Sequence, residues 1–428
     1  MSDPIQPTAT APAAADAPPA KIVGGARFLS SFFLANAGMY AVFQGMQQIV
    51  LPSQIAAIDD GGKVGAYGVL ASVGALAAAI GNPVFGSLSD RTRSRFGRRA
   101  PWLLISAVIA VLLLALLGGM TELFWLAAAY VGVMLTMSAF QAVITAVMPD
   151  RVPENRRGLA SSVMGIAATV GVIYGLNVAP FFVDRPVLAY LVISALLIVG
   201  TLLLVFLAPD PTAGRAVEAD ATTRERQSIK TFFSGLADHD FSWAFWARVA
   251  IMIGYWTIAT YQLYTLTDYI GAKNLPGGNT AGAVALLGTI NMGATFVTTL
   301  IAGPLSDRIG RRKIFVIISS FGVAAGALIP VFAPTFGGMV AYSIVAGLSF
   351  GVYSAVDQAI MTLVLPRAEN NARDLGLLNV ATTGPQIAGP FIAALVITAF
   401  SGYAPLFVFA AVAAALSAFF IIPIRKVR

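Results

Sequence analysis

The sequence predicts an all-α integral membrane protein, with twelve transmembrane helices in two parallel six-helix repeats. Three observations predict it: an apolar composition, twelve apolar runs long enough to cross a bilayer, and an internal repeat at one fixed offset. Hydrophobic residues make up 57% of the 428 residues and charged residues only 11%. A soluble domain carries about 25% charged residues. A helix needs about 20 apolar residues to cross the hydrocarbon core. The stretches that qualify are 28–50, 65–88, 102–119, 123–147, 159–182, 186–208, 244–268, 280–304, 314–333, 337–364, 375–398 and 402–423, here called spans 1 to 12. Strands of a barrel would alternate apolar and polar residues. Runs such as Val108-Ile109-Ala110-Val111-Leu112-Leu113-Leu114 do not alternate.

The basic balance, a net charge of +7, reads as membrane topology rather than nucleic-acid binding. Of the 27 Lys and Arg residues, 24 lie in the tails, in the loops after even-numbered spans and at the start of span 7. Only Lys63, Arg185 and Lys273 lie in the opposite set of loops. By the positive-inside rule both termini are cytoplasmic, and the membrane expected is the bacterial inner membrane. Residues 1–27 read as a disordered cytoplasmic tail, because their Ala, Pro, Thr and Asp cannot build a core. Residues 28–208 form an N-terminal six-helix bundle, 209–243 a charged cytoplasmic linker, and 244–428 a C-terminal six-helix bundle.

Shifting the chain by 217 residues superimposes its signatures. Gly86-Ser87-Leu88-Ser89-Asp90-Arg91 falls on Gly303-Pro304-Leu305-Ser306-Asp307-Arg308, at the exits of spans 2 and 8. The run from Gln141 to Pro149 falls on that from Gln358 to Pro366, at the ends of spans 4 and 10. Two parallel repeats around a midplane site are an architecture of secondary transporters.

Gly-x-x-x-Asp-Arg followed by Gly-Arg-Arg, between spans 2 and 3 and again between spans 8 and 9, resembles the signature loop of the major facilitator superfamily. The resemblance covers all twelve spans. The first copy, Asp90 to Arg99 followed by Pro101-Trp102, is longer by four residues than the second. That longer form is similar to the glycoside–pentoside–hexuronide:cation symporters and their sucrose:proton relatives. The resemblance implies a conformational latch built from Asp90, Arg91, Gly97 and Arg98 in the first copy and from Asp307, Arg308, Gly310 and Arg311 in the second. It places Asp90 at the start of span 11 and Asp307 at the start of span 5. A carboxylate there meets the partial positive charge of a helix N-terminus. The plainer reading, that these charges only hold loops in the cytoplasm, stands beside it.

A polar group at bilayer depth needs a partner or a water-filled cavity. Asp357 in span 10 is the one acid deep within a span. Its insertion costs roughly 2.5–3.5 kcal/mol, which suggests use as a proton site or a substrate acceptor. Arg248, a turn or so into span 7 from the same side, makes a structural ion pair the competing reading. The superfamily lines its cavity with spans 1, 4, 7 and 10. The substrate-binding candidates on those spans are Gln44, Gln47, Gln141, Tyr261, Tyr264, Tyr353 and Gln358, with Asn379 added from span 11. Amides bond hydroxyls and aromatic rings cover an apolar sugar face. The alternative for each residue is interhelical hydrogen bonding. The acids that hold sodium in melibiose-type members, in spans 2 and 4, have no counterpart here.

The expected function is therefore secondary active transport of a small polar solute, a sugar or glycoside, by alternating access with a proton as the coupling ion. The alternative is a drug or metabolite efflux antiporter of the same superfamily, and the remote one a non-transporting sensor on this fold. The chain has no cysteine, a single histidine (His239) and no Gly-x-x-x-x-Gly-Lys-Ser/Thr loop. Thiol chemistry is thereby excluded, and an enzyme, direct ATP drive, a metal site or a cofactor is not expected. The partners expected are the solute, the proton and the lipid bilayer. Nucleic acid is not expected, and the protein is expected to be a monomer.

Overall fold

The computed structural model of the protein describes residues 25–92, 94, 96–209, 234–364 and 371–425. Most of the tail 1–27 and of the linker 209–243 lies outside the described residues. The helices, in chain order, are α1 (Gly25–Gly45), α2 (Leu51–Ile58), α3 (Lys63–Arg91), α4 (Ala100–Gly118), α5 (Leu123–Arg151), α6 (Arg157–Val178) and α7 (Pro186–Leu207). They continue with α8 (His239–Thr260), α9 (Thr280–Ile309), α10 (Arg312–Phe332), α11 (Phe336–Val364), α12 (Asn371–Ala399) and α13 (Ala404–Ile421).

Among the described residues, ten helices are long and apolar enough to cross a membrane: α3 to α7 and α9 to α13. They fall on ten of the twelve apolar stretches. The other two stretches, spans 1 and 7, are helical but interrupted. Between α1 and α2 the chain winds into a π-helix at Met46–Val50. After α8 it passes Tyr261 and the turn Gln262–Tyr264 into a second π-helix at Thr265–Gly271. Wide π turns of this kind concentrate at functional sites, and both of these lie beside the polar residues of their spans. Large apolar side chains such as Leu112, Phe206, Leu300 and Phe332 stand exposed on the outside, as a lipid-facing surface requires.

Helices α1 to α7 pack on one another, and so do α8 to α13. Small residues allow the close approaches. A side chain at Gly171 or Gly175 would run into the α1 backbone at Ala37 or Ala41. In a bilayer, where apolar burial drives association little, such backbone proximity supplies the packing energy. The repeat is visible in space with one inversion. Gly74 of α3 makes room for Tyr130 of α5, whereas at the same offset Gly347 of α11 makes room for Asn291 of α9. The small residue has moved to the other helix, where it meets the backbone at Asn291 instead of a ring.

Side-chain bonds define the two ends of the molecule. At one end Gln54 donates to the carbonyls of Leu117 and Met120, 2.8 and 2.9 Å away, and Tyr269 donates to Pro330 O. At the other, Arg151 donates to Ala208 O and Lys313 to Ile424 O. They are called here the Lys63 end and the Asp90 end, after a residue at each end of α3.

Candidate functional site

A cleft opens where α1, α6, α8, α9 and α11 converge, between the two groups of helices. Its polar lining is Gln44, Gln48, Gln262, Asn291, Tyr255 and Ser343, and Val172, Leu176, Ile258 and Met292 supply apolar walls. No charged side chain lines it. Gln48 Nε2 donates to Gln44 Oε1, one helical turn away. That bond leaves a donor on Gln44 and an acceptor on Gln48 for a third group. Asn291 Nδ2 donates to Ser343 O at 3.2 Å, which leaves its carbonyl oxygen as an acceptor. Tyr255 stacks on Phe350 with ring centroids 4.5 Å apart, which fixes that wall.

Beneath the cleft, toward the Asp90 end, lies a buried charge pair. Arg248 of α8 donates to Asp357 Oδ2 through both Nε, at 2.8 Å, and Nη2. Tyr353, one turn before Asp357, donates to its Oδ1 at 2.9 Å. Both charged residues are at most 5% exposed. The carboxylate is thus held by three charge-assisted bonds, which is what a buried ion needs to persist.

The other candidate residues are dispersed. Gln44 is in the cleft. Tyr261 and Tyr264 are buried at the Lys63 end, where their hydroxyls donate to Val64 O and Pro52 O at 2.7 and 2.9 Å. Gln47 turns from the cleft to Met134 Sδ, 3.7 Å away. Gln141 is half-buried on α5, Asn379 is exposed on α12, and the Gln358 side chain lies outside the described residues. Gln48, Gln262 and Asn291, membrane-depth amides of spans 1, 7 and 8, line it too, and Tyr255, Tyr342 and Ser343 join them without having been singled out as ligands. The available signal was helical spacing. Tyr255, Ile258, Ala259 and Gln262 follow the i, i+3, i+4, i+7 pattern of one helix face.

At the Asp90 end the signature loops show why they need glycine. Gly97 and Gly310 have φ of 94° and 68°, a left-handed conformation that costs other residues roughly 1–2 kcal/mol. Gly310 caps α9, its N–H donating to Ser306 O. The charges pair within their own helix group. Asp90 bonds Arg99 at 2.7 Å, Arg98 and Arg99 share Asp150, and Asp307 bonds Arg312 at 2.6 Å. Arg91, Arg308 and Arg311 are exposed.

The profile of the Major Facilitator Superfamily matches residues 28–276 and 244–428, which together span every described helix. The chain belongs to the major facilitator superfamily. Two solved structures share the fold of this superfamily member. A POT family transporter in complex with a thioalcohol-conjugated peptide aligns over 94% of this chain and 97% of its own, with a TM-score of 0.74 and 13% identity. A bacterial homolog to the human lysosomal transporter Spinster, inward-facing and unoccupied, aligns over 92% and 93%, with a TM-score of 0.63 and 14% identity. At such identities the likeness concerns the fold alone. A protein named "Probable 4-methylmuconolactone transporter", from Cupriavidus pinatubonensis (strain JMP 134 / LMG 1197), is 32% identical over 114 residues. That match spans 26% of either chain. This superfamily member has ten described helices long and apolar enough to cross a membrane, arranged in a fold shared with the two solved transporters.

Proposed function

We propose that this transporter carries a neutral, hydroxylated solute, a sugar or glycoside, by alternating access with proton coupling. The observation that carries the reading is the uncharged cleft lined by four carboxamides and the Tyr255 ring. Hydroxyls both donate and accept, and the Gln44–Gln48 pair offers one of each. An anionic or cationic solute would enter this cleft without a counter-charge, a costly desolvation. The Arg248–Asp357–Tyr353 cluster supplies a candidate proton site, and the longer signature loop supports the glycoside–pentoside–hexuronide or sucrose symporter branch. The working arrangement is twelve spans, with α1, its π turn and α2 making span 1, and α8 to the second π turn making span 7. Residues 28–208 and 244–428 form the two bundles. Charge asymmetry supports cytoplasmic termini in a bacterial inner membrane, with the Asp90 end inside, and the protein acts as a monomer.

The name of the Cupriavidus relative favours a second reading, transport of a small organic acid bearing a lactone ring, in either direction. A lactone carbonyl suits the amides, but a carboxylate would have to recruit Arg248. A thermal-shift screen of the purified protein against mono- and disaccharides, methyl glycosides, 4-methylmuconolactone and lipophilic cations separates the readings. Stabilisation by a sugar or glycoside alone supports the proposal. Stabilisation by the lactone or the cations, with none from any sugar, replaces it.

A further inference from the structure

Every side-chain bond that joins α1–α7 to α8–α13 among the described residues lies toward the Lys63 end. Lys63 Nζ, only 9% exposed, bonds Asp268 Oδ1 at 2.9 Å and Asp60 Oδ1 at 2.8 Å. Tyr403, at the start of α13, donates to the second oxygen of Asp268 at 2.7 Å. Beneath them Tyr67, Tyr261 and Tyr264 form a closed triangle of rings, with centroids 5.7 to 6.1 Å apart. Tyr261 and Tyr264 reach across to the carbonyls of Val64 and Pro52, while Tyr67 donates to Gln47 O. The carbonyl of residue 47 lies within the π turn Met46–Val50 and that of residue 52 just past it, and the two crossing tyrosines lie within four residues before the second π turn. Asn177 Nδ2 also crosses, to Thr289 Oγ1 at 2.7 Å.

From this we infer that Lys63, Asp268 and Tyr403, with the triangle of Tyr67, Tyr261 and Tyr264, are a two-layer lock that holds the Lys63 end shut. The outer layer is electrostatic. The Lys63 side chain is largely buried and bonds two carboxylates, so parting from Asp268 leaves it Asp60 alone as a counter-charge. The inner layer is a plug of three aromatic rings whose hydroxyls are all satisfied by backbone carbonyls of α2, α3 or the π turn. Carbonyls beside a π turn serve well as the acceptors, because the helix is already interrupted there and the clasp can release without breaking a regular ladder. At the Asp90 end, Asp90 and Asp307 are each paired within their own helix group. Opening the Lys63 end requires Asp268 to leave Lys63 and the two tyrosines to leave Val64 and Pro52 together.

The test uses no solute, so it stands apart from the identity of what is carried. The chain has no cysteine, and Arg185 and Lys273 are exposed residues of the two helix groups at the Lys63 end. Spin labels on Arg185→Cys and Lys273→Cys, in protein reconstituted into lipid nanodiscs, report their separation by pulsed electron resonance. The parent pair is expected to show one dominant short distance. Asp268→Asn, and separately Tyr261→Phe with Tyr264→Phe, should each raise the ratio of long to short distances by about fivefold. Asp268→Glu should retain the short distance. The tyrosine variants remove only two oxygens, so they report on the lock even if Asp268→Asn fails to fold. An unchanged distance distribution in the tyrosine pair overturns the inner layer. An unchanged distribution in folded Asp268→Asn, or an equal shift in Asp268→Glu, overturns the outer one.

Discussion

Arg248 and Asp357 are bonded to each other through two guanidinium nitrogens, inside the helix group α8–α13 and below the cleft rather than in it. The pair is self-sufficient in charge, and Tyr353 completes the carboxylate. This gives its removal opposite consequences under the two roles it can play. Losing one partner of a buried pair costs about 3–5 kcal/mol, because the other charge is left uncompensated. Asp357→Asn or Arg248→Gln alone should therefore lower the melting temperature and expression. The double variant should recover the fold. If Asp357 carries the proton, the double variant will exchange solute down its gradient but not accumulate it against one. Full uphill transport by the double variant would place the proton elsewhere.

The amides of the cleft give a second expectation. Gln262→Ala and Asn291→Ala each remove a hydrogen bond to a neutral group, worth about 1 kcal/mol. Each should raise the half-saturating solute concentration about fivefold; Gln262→Ala should leave thermal stability nearly unchanged, whereas Asn291→Ala also loses its bond to Ser343 O. Gln141→Ala, outside the cleft lining, should leave the half-saturating concentration and the stability as they are. An effect of Gln141→Ala equal to that of Gln262→Ala would move the site toward α5.

The signature loops give a third. In the described state Asp90 and Asp307 are exposed and paired locally, Asp307 with Arg312 and Asp90 with the buried Arg99, which keeps Asp150 as a second carboxylate. Pairs with an exposed partner contribute about 0–1 kcal/mol. Asp90→Asn and Asp307→Asn should thus leave stability almost untouched. As latch residues of the alternate state, they should slow transport or bias it to one direction. Normal rates in both single variants and in the double variant would leave these charges with topology alone. Gly310→Ala, by contrast, should cost roughly 1–2 kcal/mol, because its φ is left-handed, and a variant as stable as the parent would show that the cap can relax.

Topology gives a fourth. Lys273→Cys should react with a membrane-impermeant maleimide added outside intact cells, and Arg311→Cys should not. The reverse pattern would invert the orientation.

Much of the fold was legible because membrane helices declare themselves by length and apolarity, and the repeat offset located the equivalent loops. The interruptions were not legible. Spans 1 and 7 look like ordinary amphipathic helices, and nothing in Gln44–Gln48 or Tyr261–Tyr264 signals a π turn. That interruption explains why candidate residues on one span part company. Gln44 and Gln262 face the cleft while Tyr261 and Tyr264 turn to the opposite helix group. The Arg248–Asp357 pairing could be posed from depth alone, because two ions at similar height in adjacent spans must either meet or pay for isolation. The role of Lys63 could not, since a lysine at a span end reads as a topology signal until its partners Asp60, in the turn after α2, and Asp268, in the second π turn, are known.

On the proposed reading, the uncharged cleft between the two helix groups passes a neutral hydroxylated solute. Counterflow measures this most directly. Purified protein in proteoliposomes is loaded with unlabelled methyl β-glucoside or sucrose and diluted into trace labelled sugar. The expected result is a transient, saturable accumulation of label that Gln262→Ala weakens and that 4-methylmuconolactone and lipophilic cations do not compete away. Absence of sugar counterflow, in vesicles that do exchange the lactone or a lipophilic cation, would contradict it.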